Sequence, residues 1–186
     1  MPHIHTKPGQ HDFTISAYVV RRIEGEWKGL VHMHKKLGKL LLVGGHVELH
    51  ETPWQALAHE LLEESGYTFD ELQLLQPDFV IPQVSDCVVH PVPLILNTHK
   101  VTSTHFHTDI SYGFIATRAP RALPNDSESS DLRWLTLAEM RVARERHELI
   151  ADVYETYEAL IEQYVPTYTL VVATQFSLQH PAAVPS

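Results

Sequence analysis

The protein has 186 residues, and its 14 Lys and Arg against 23 Asp and Glu give a formal net charge of −9 with histidine neutral. A chain of this length forms one domain by default, with enough residues for a sizeable core. The acidic balance argues against a surface that coats nucleic acid and against a polybasic membrane contact, because phosphate groups would be repelled. It is compatible with an anionic substrate if a divalent cation mediates the contact.

Cysteine use and hydropathy predict where the protein resides. Cys87 is the one cysteine and cannot form an internal disulfide, which is typical of a reducing compartment. The longest apolar stretches, 40–43 and the proline-broken 88–96, are too short to span a bilayer. The N-terminal segment lacks the apolar core of a secretory signal. We therefore predict a soluble cytoplasmic protein.

Residues 53–65 form the best-defined predicted helix. Thr52 and Gln55 make a capping box at its start, Pro53 suits its first position, and Gly66 ends it as a left-handed cap. At about 100° per residue, the apolar side chains share one broad face: Trp54, Leu57, Ala58, Leu61 and Leu62. Three carboxylates are predicted on the opposite, outward side: Glu60, Glu63 and Glu64.

The remaining elements alternate between strands and helices. Strands are predicted at 13–23, 30–33, 40–43, 84–101 (interrupted by Pro91 and Pro93), 110–117 and 132–135. A turn is predicted at 37–39, an exposed loop at 118–131 and helices at 137–143 and 146–164. This order favours an α/β sandwich around a mixed sheet. We place the domain at 10–165, with an N-terminal extension at 1–9 and a partly loose C-terminal extension at 166–186.

The acidic side of the helix predicts a metal site. Glu60 and Glu64 lie one turn apart with Glu63 beside them, and two such charges about 6 Å apart repel by about 3 kcal/mol at an effective dielectric of about 20. A hard dication would offset this cost, and carboxylates suit Mg²⁺ or Mn²⁺. The backbone carbonyl of Gly44 or Gly45 is a further candidate ligand, since glycine lets the backbone approach closely. The alternative is a solvated acidic face that binds no metal.

The same helix carries a spaced motif, GHVELHETPWQALAHELLEESGY, over residues 45–67. Five residues separate Gly45 from Glu51, and seven separate Glu51 from His59. The residues that follow at fixed offsets are Glu60, Leu61, Glu63, Glu64, Gly66 and Tyr67. This spacing resembles the signature of the Nudix hydrolases, G-x5-E-x7-R-E-U-x-E-E-x-G-U, in which U is a bulky apolar residue. Every specified position matches except the arginine, which is His59 here.

The resemblance implies an α/β/α sandwich and a Mg²⁺-dependent pyrophosphatase that cleaves a nucleoside diphosphate derivative with water. Family members are often dimers, so it also implies a homodimer. Glu51 matches a glutamate that supports the loop or binds metal through water. The expected metal ligands are Glu60, Glu63, Glu64 and Gly44, and the expected catalytic residues are Glu63, Glu64 and His59. Glu63 is also the candidate base, because that position activates water in some members.

His59 departs from the family pattern. The arginine is a permanently charged fork that holds a neighbouring glutamate, whereas histidine is shorter and titrates near neutrality. Two interpretations stay open. In the first, the surrounding carboxylates keep His59 protonated, and it holds the neighbouring glutamate as the arginine does, but less firmly. In the second, another residue holds that glutamate.

Histidines form a second candidate site. Three His-x-His pairs occur, His3/His5, His32/His34 and His105/His107, and Asp109 continues the last pair at the same spacing. Along a strand this spacing places side chains on one face, so His105, His107 and Asp109 are predicted to bind substrate phosphate or a second metal. The alternative is a polar strand edge with incidental histidines.

Three functions are therefore weighed. The first is the Mg²⁺-dependent Nudix-type hydrolase. The second is a catalytically silent Nudix-fold module that holds or senses a nucleotide, although such a module has no need to keep three mutually repelling carboxylates together. The third is a hydrolase whose main metal, Zn²⁺ or Mn²⁺, is held by His105, His107 and Asp109.

Overall fold

The computed structural model describes residues 7–79, 84–125 and 129–179. His3, His5 and the ends of both predicted extensions lie outside these ranges. In the described residues nine strands form one mixed sheet. They are β1 (His11–Ile23), β2 (Glu26–His34), β3 (Lys39–Leu41), β4 (Val43–His46), β5 (Leu72–Gln76), β6 (Ile95–Lys100), β7 (Phe106–Ala116), β8 (Ser129–Leu135) and β9 (Thr169–Val172). The helices are α1 (Pro53–Glu60), α2 (Leu137–Glu145) and α3 (Ala151–Ala159).

The centre of the sheet is a parallel pair, β1 and β7. The order is β3-β2-β1-β7-β5-β9, while β4 pairs with β1, β6 with β7 and β8 with β2. The β1–β7 register runs from His11 opposite Phe106 to Arg21 opposite Ala116 and places Asp12 opposite His107. The other strand pairings in the described residues are antiparallel.

Helices cover both faces of this sheet. Ile15, Ala17 and Val19 of β1 belong to the core beneath α1, together with buried Trp54, Leu57 and Leu61. Tyr18 and Val20 point to the opposite face and pack with α2 and α3. The predicted α/β/α sandwich around a mixed sheet is confirmed. No helix in the described ranges is long and apolar enough to cross a membrane.

The helix that carries the glutamates changes its winding partway. The capping box is present: Gln55 N donates to Thr52 Oγ1 and Thr52 N donates to Gln55 Oε1. Gly66 ends the helix in the left-handed conformation, with φ 75°. However, α1 ends at Glu60, and Leu61–Ser65 form a π-helical turn. The prediction of one α-helix over 53–65 is therefore wrong in its last turn.

The wider π-helical turn redistributes the side chains. Leu62, predicted on the apolar face, is 42% exposed, and Glu64, predicted to point outward, is only 4% exposed. The expectation that all three carboxylates share one outward face is wrong. Glu64 is turned into the protein instead.

Three other boundaries differ from the predictions. Residues 84–94 form no strand, because the Pro91 and Pro93 nitrogens cannot donate to a ladder, and β6 begins only at Ile95. The last helix starts at Ala151 rather than at 146. In between, His147 adopts φ 58° and Leu149 bridges to Leu40. The end of the predicted loop at 118–131 belongs to β8.

Two strands that the sequence analysis omitted complete one edge of the sheet. β5 pairs with β7 and with β9. β9 lies beyond residue 165, and Leu170 and Val171 stand opposite Leu75 and Leu74.

Glu71 links two loops at this end of the sheet. It accepts hydrogen bonds from Thr68 N at 3.2 Å and from Arg121 N at 3.0 Å. Its carboxylate also lies 3.2 Å from Arg121 Nε, and its side chain is 1% exposed. Burial opposes ionisation, but these donors outweigh it and lower the pKa of Glu71 below its ordinary value of 4.5.

We predict that Glu71→Gln destabilises the fold by about 1.5–3 kcal/mol at neutral pH, the range for hydrogen bonds to charged groups. Because the pKa is lower in the folded state, the carboxylate contributes fully above pH 4.5 and loses its contribution as pH falls through the folded pKa. Urea unfolding of both proteins across pH measures this. A control, Glu155→Gln, removes an exposed ion pair to Arg144 and should cost about 1 kcal/mol or less. A Glu71→Gln effect that does not shrink in acid would contradict the assignment.

Candidate active site

Two glutamates meet the backbone of the paired glycines. Glu64 Oε2 accepts a hydrogen bond from Gly44 N at 2.9 Å. A Cβ at Gly45 would lie 1.9 Å from Glu60 Oε1, so the Glu60 carboxylate fills the space that any larger residue would need. Gly44 in turn pairs with Ser16 of β1. The sheet therefore holds the glycines in place, and the helix brings the carboxylates to them.

A buried histidine also contacts Glu64. His32 Nε2 lies 3.6 Å from Glu64 Oε2 and 3.0 Å from the carbonyl oxygen of Leu42. Both side chains are almost fully buried. From sequence His32 is recognisable only as part of a His-x-His pair, because nothing in the local pattern shows that β2 passes beside the helix end. His32 therefore packs against the Glu64 carboxylate inside the protein.

His59 lies between two other glutamates. Its Nε2 is 3.1 Å from Glu63 Oε1 and its Nδ1 is 3.5 Å from Glu51 Oε1. Partial burial opposes the charge, but the carboxylates of Glu63, Glu51 and Glu60 outweigh it and raise the pKa of His59. This arrangement favours the interpretation in which His59 is protonated and takes the place of the arginine. Its side chain is 55% exposed, so the contact is less firm than a buried arginine fork would be.

The donor set fits a hard dication. Glu60 and Glu64 bring carboxylate oxygens to the paired glycines, where Gly45 leaves room for a carboxylate, whereas Glu63 is turned toward His59. In the part of the chain that the structure describes, the three carboxylates do not form a group whose ligand atoms all lie within 4.8 Å of one another. Oxygen ligands of this kind are preferred by Mg²⁺ and Mn²⁺. The metal roles of these residues and of the Gly44 carbonyl stay predictions, as do the catalytic roles of Glu63, Glu64 and His59.

The structure separates the predicted triad of His105, His107 and Asp109. Asp109 is buried, and its carboxylate accepts three hydrogen bonds from hydroxyl groups. The donors are Thr14 at 2.8 Å, Ser16 at 2.9 Å and Ser111 at 2.6 Å. Asp109 thus fastens β7 to β1, while the two histidine rings lie together, with their Nε2 atoms 3.1 Å apart.

Two residues that the sequence analysis missed join these histidines. His46 and His107 rings stand edge to face with centroids 4.9 Å apart, and Asp12 Oδ2 lies 3.4 Å from His105 Nε2. Burial and the neighbouring histidines at 46, 99 and 105 lower the pKa of His107 to about 4. The available signals were Gly-Gly-His at the end of β4 and the alternation of Asp12, Thr14 and Ser16 along β1.

Comparison with known proteins agrees with this geometry. The family model of the NUDIX domain matches residues 12–157. No significant match was found among curated proteins. A solved hydrolase of the NUDIX family from Clostridium perfringens is 28% identical, covers 82% of this chain and 97% of its own, and superposes with a TM-score of 0.64.

Two more distant structures share the fold. The NUDIX domain of Shewanella oneidensis NrtR complexed with ADP ribose is 16% identical, with 83% of this chain and 88% of that chain covered and a TM-score of 0.58. A C. elegans Ap4A hydrolase is 15% identical, with 81% of this chain and 97% of that chain covered and a TM-score of 0.57. The family match over most of the chain, together with the glutamates gathered at the paired glycines, shows that this protein belongs to the Nudix hydrolase family.

Proposed function

We propose that the protein hydrolyses the diphosphate linkage of a nucleoside diphosphate derivative in a Mg²⁺-dependent reaction. The observation that carries the proposal is the convergence of Glu60 and Glu64 on the backbone of Gly44 and Gly45. A site that gathers carboxylates against a glycine backbone is suited to a dication that also contacts phosphate oxygens.

Glu60, Glu63 and Glu64 would hold the ion, with Mn²⁺ as an alternative to Mg²⁺. When bound, such an ion neutralises charge on the phosphate oxygens and lowers the pKa of a coordinated water. Glu64 has little freedom, because Gly44 N and the His32 ring hold it from two sides. It is therefore suited to fixing the ion rather than to moving a proton.

Glu63 is suited to accept the proton of the attacking water. Its side chain is 37% exposed and pairs with His59 one turn earlier, so it can accept a proton from an attacking water and pass it to solvent. A protonated His59 would orient Glu63 and Glu51 through charge-assisted hydrogen bonds. This assigns Glu63 as general base and His59 as the residue that positions it.

The substrate class is supported by the fold relatives. One is named as an Ap4A hydrolase and another was solved with ADP ribose. In both compounds an adenosine is joined to a second group through a diphosphate or a longer phosphate bridge. We extend that class to this chain, with His105 and His107 as substrate-binding candidates and Asp109 supporting them through its buried hydroxyl contacts. The predicted homodimer and the cytoplasmic location stay predictions.

We predict Mg²⁺-dependent release of phosphate or a mononucleotide from at least one compound in a panel of ADP-ribose, dinucleoside polyphosphates and nucleoside triphosphates. Glu63→Gln should lower turnover by orders of magnitude, because the base is lost. It should leave the fold intact, since Glu63 is partly exposed and removing one of three like charges relieves repulsion.

The matched control is Glu145→Gln, which changes an exposed glutamate of α2 and should turn over normally. A thermal upshift with Mg²⁺ should accompany activity, because binding to the folded state adds stability. No release from any compound would favour the nucleotide-binding module. Normal turnover by Glu63→Gln would refute the assigned base.

The two glycines should respond differently to the same substitution. A Cβ at Gly44 would lie 2.3 Å from the Ile15 carbonyl oxygen, which is rigid backbone, so Gly44→Ala should destabilise the fold by about 1–3 kcal/mol. A Cβ at Gly45 meets the movable end of Glu60 instead. Gly45→Ala should fold normally but bind Mg²⁺ about 10-fold more weakly. Denaturant unfolding and Mg²⁺ titration separate the two effects, and unchanged Mg²⁺ affinity in Gly45→Ala would remove Glu60 from the ligand set.

A further inference from the structure

We propose that His46, His105, His107 and Asp12 form a second metal site, separate from the glutamate site, that binds a transition-metal ion of the Zn²⁺ type. Each of the three histidines offers a ring nitrogen, and these nitrogens all lie within 4.8 Å of one another. Imidazole ligands favour Zn²⁺ and its first-row neighbours, whereas Mg²⁺ prefers oxygen. The chemistry of this cluster therefore differs from that of the glutamates.

The spacing of the ligand atoms fits tetrahedral coordination. Zn–N bonds of about 2.0–2.1 Å place neighbouring ligand atoms of a tetrahedron about 3.3 Å apart. His105 Nε2 lies 3.1 Å from His107 Nε2 and 3.4 Å from Asp12 Oδ2. His46 Nε2 is 3.9 Å from the same Asp12 oxygen. The three histidine nitrogens form a group within 4.8 Å that does not include Asp12, so side-chain rotation has to bring the Asp12 carboxylate toward His107 to complete the tetrahedron.

Asp12 gives the second, independent indication of a ligand. Its side chain is 2% exposed, and neither carboxylate oxygen accepts a hydrogen bond from any residue that the structure describes. A buried carboxylate without hydrogen bonds is costly unless a cation compensates it. A metal ion between the three histidines would provide that cation, with Asp12 as its fourth ligand.

Asp12, His46 and His107 lie on three strands, β1, β4 and β7, and His105 lies one residue before β7. The parallel β1–β7 register sets Asp12 opposite His107, and the β1–β4 register sets Thr14 opposite His46. His46 follows Gly45 directly, so the two sites are neighbours along β4 but have no ligand in common. A bound ion would tie together the ends of β1, β4 and β7.

The ligand set differs from the triad predicted from sequence. Asp109 stands on the same face of β7, but its oxygens are occupied by the Thr14, Ser16 and Ser111 hydroxyls. Asp12 takes its place, since it lies across from His107 on the neighbouring strand.

The test is Zn²⁺ binding by chelator-stripped protein in excess Mg²⁺, which occupies the glutamate site. Competition with a chromophoric chelator should show one tight Zn²⁺ per chain, and Co²⁺ should give the visible spectrum of a tetrahedral site. The double variant His105→Ala/His107→Ala should weaken Zn²⁺ binding on the order of 100-fold or more. Asp12→Asn preserves side-chain size and should weaken it about 10-fold.

The matched control is His147→Asn. This exposed histidine lies between α2 and α3, outside the cluster, and asparagine tolerates its φ of 58°, so the variant should bind Zn²⁺ like the wild type. Circular dichroism reports whether each variant folds. If the double variant does not fold, the Zn²⁺ affinity of Asp12→Asn and the Co²⁺ spectrum of the wild type still test the proposal. No Zn²⁺ bound by the wild type, or equal affinity in Asp12→Asn, would overturn the proposal. Neither outcome depends on hydrolase activity.

Discussion

The structure depends on how it offsets the repulsion among the glutamates at the end of one helix. Glu64 is nearly buried, yet its carboxylate accepts a hydrogen bond from Gly44 N and lies next to the His32 ring. Glu60 fits against the next glycine only because that residue has no Cβ. The capping box, the π-helical turn and the pairing of β4 with β1 all serve to bring these carboxylates to the glycine backbone, where a dication would complete the arrangement.

Local patterns in the sequence predicted the parts of this site that depend on short-range chemistry. The Thr52–Gln55 cap and the left-handed Gly66 follow from residue types at adjacent positions, and both are present. The burial of Glu64 could not be predicted in the same way, because it depends on a π-helical turn and on β2 passing beside the helix end. Neither leaves a periodic signal. The omission of β9 has a similar cause, since that short strand is defined by its pairing with β5.

The histidine cluster shows the same division between local and long-range information. Alternation along β7 correctly placed His105 and His107 side by side. It could not decide what Asp109 faces, because the hydroxyls that occupy Asp109 come mainly from β1, more than ninety residues earlier in the chain. Asp12 and His46 join the cluster only through strand register. One sheet thus supports an oxygen-rich site and a nitrogen-rich site, joined at consecutive residues of β4.

The most direct test of the central claim is anomalous diffraction from crystals soaked in Mn²⁺ at a concentration suited to a Mg²⁺ site. We predict an anomalous peak bonded to carboxylate oxygens of Glu60 and Glu64, beside Gly44 and Gly45. Solvent alone at those carboxylates, in crystals that diffract well enough to show the ion, would contradict it.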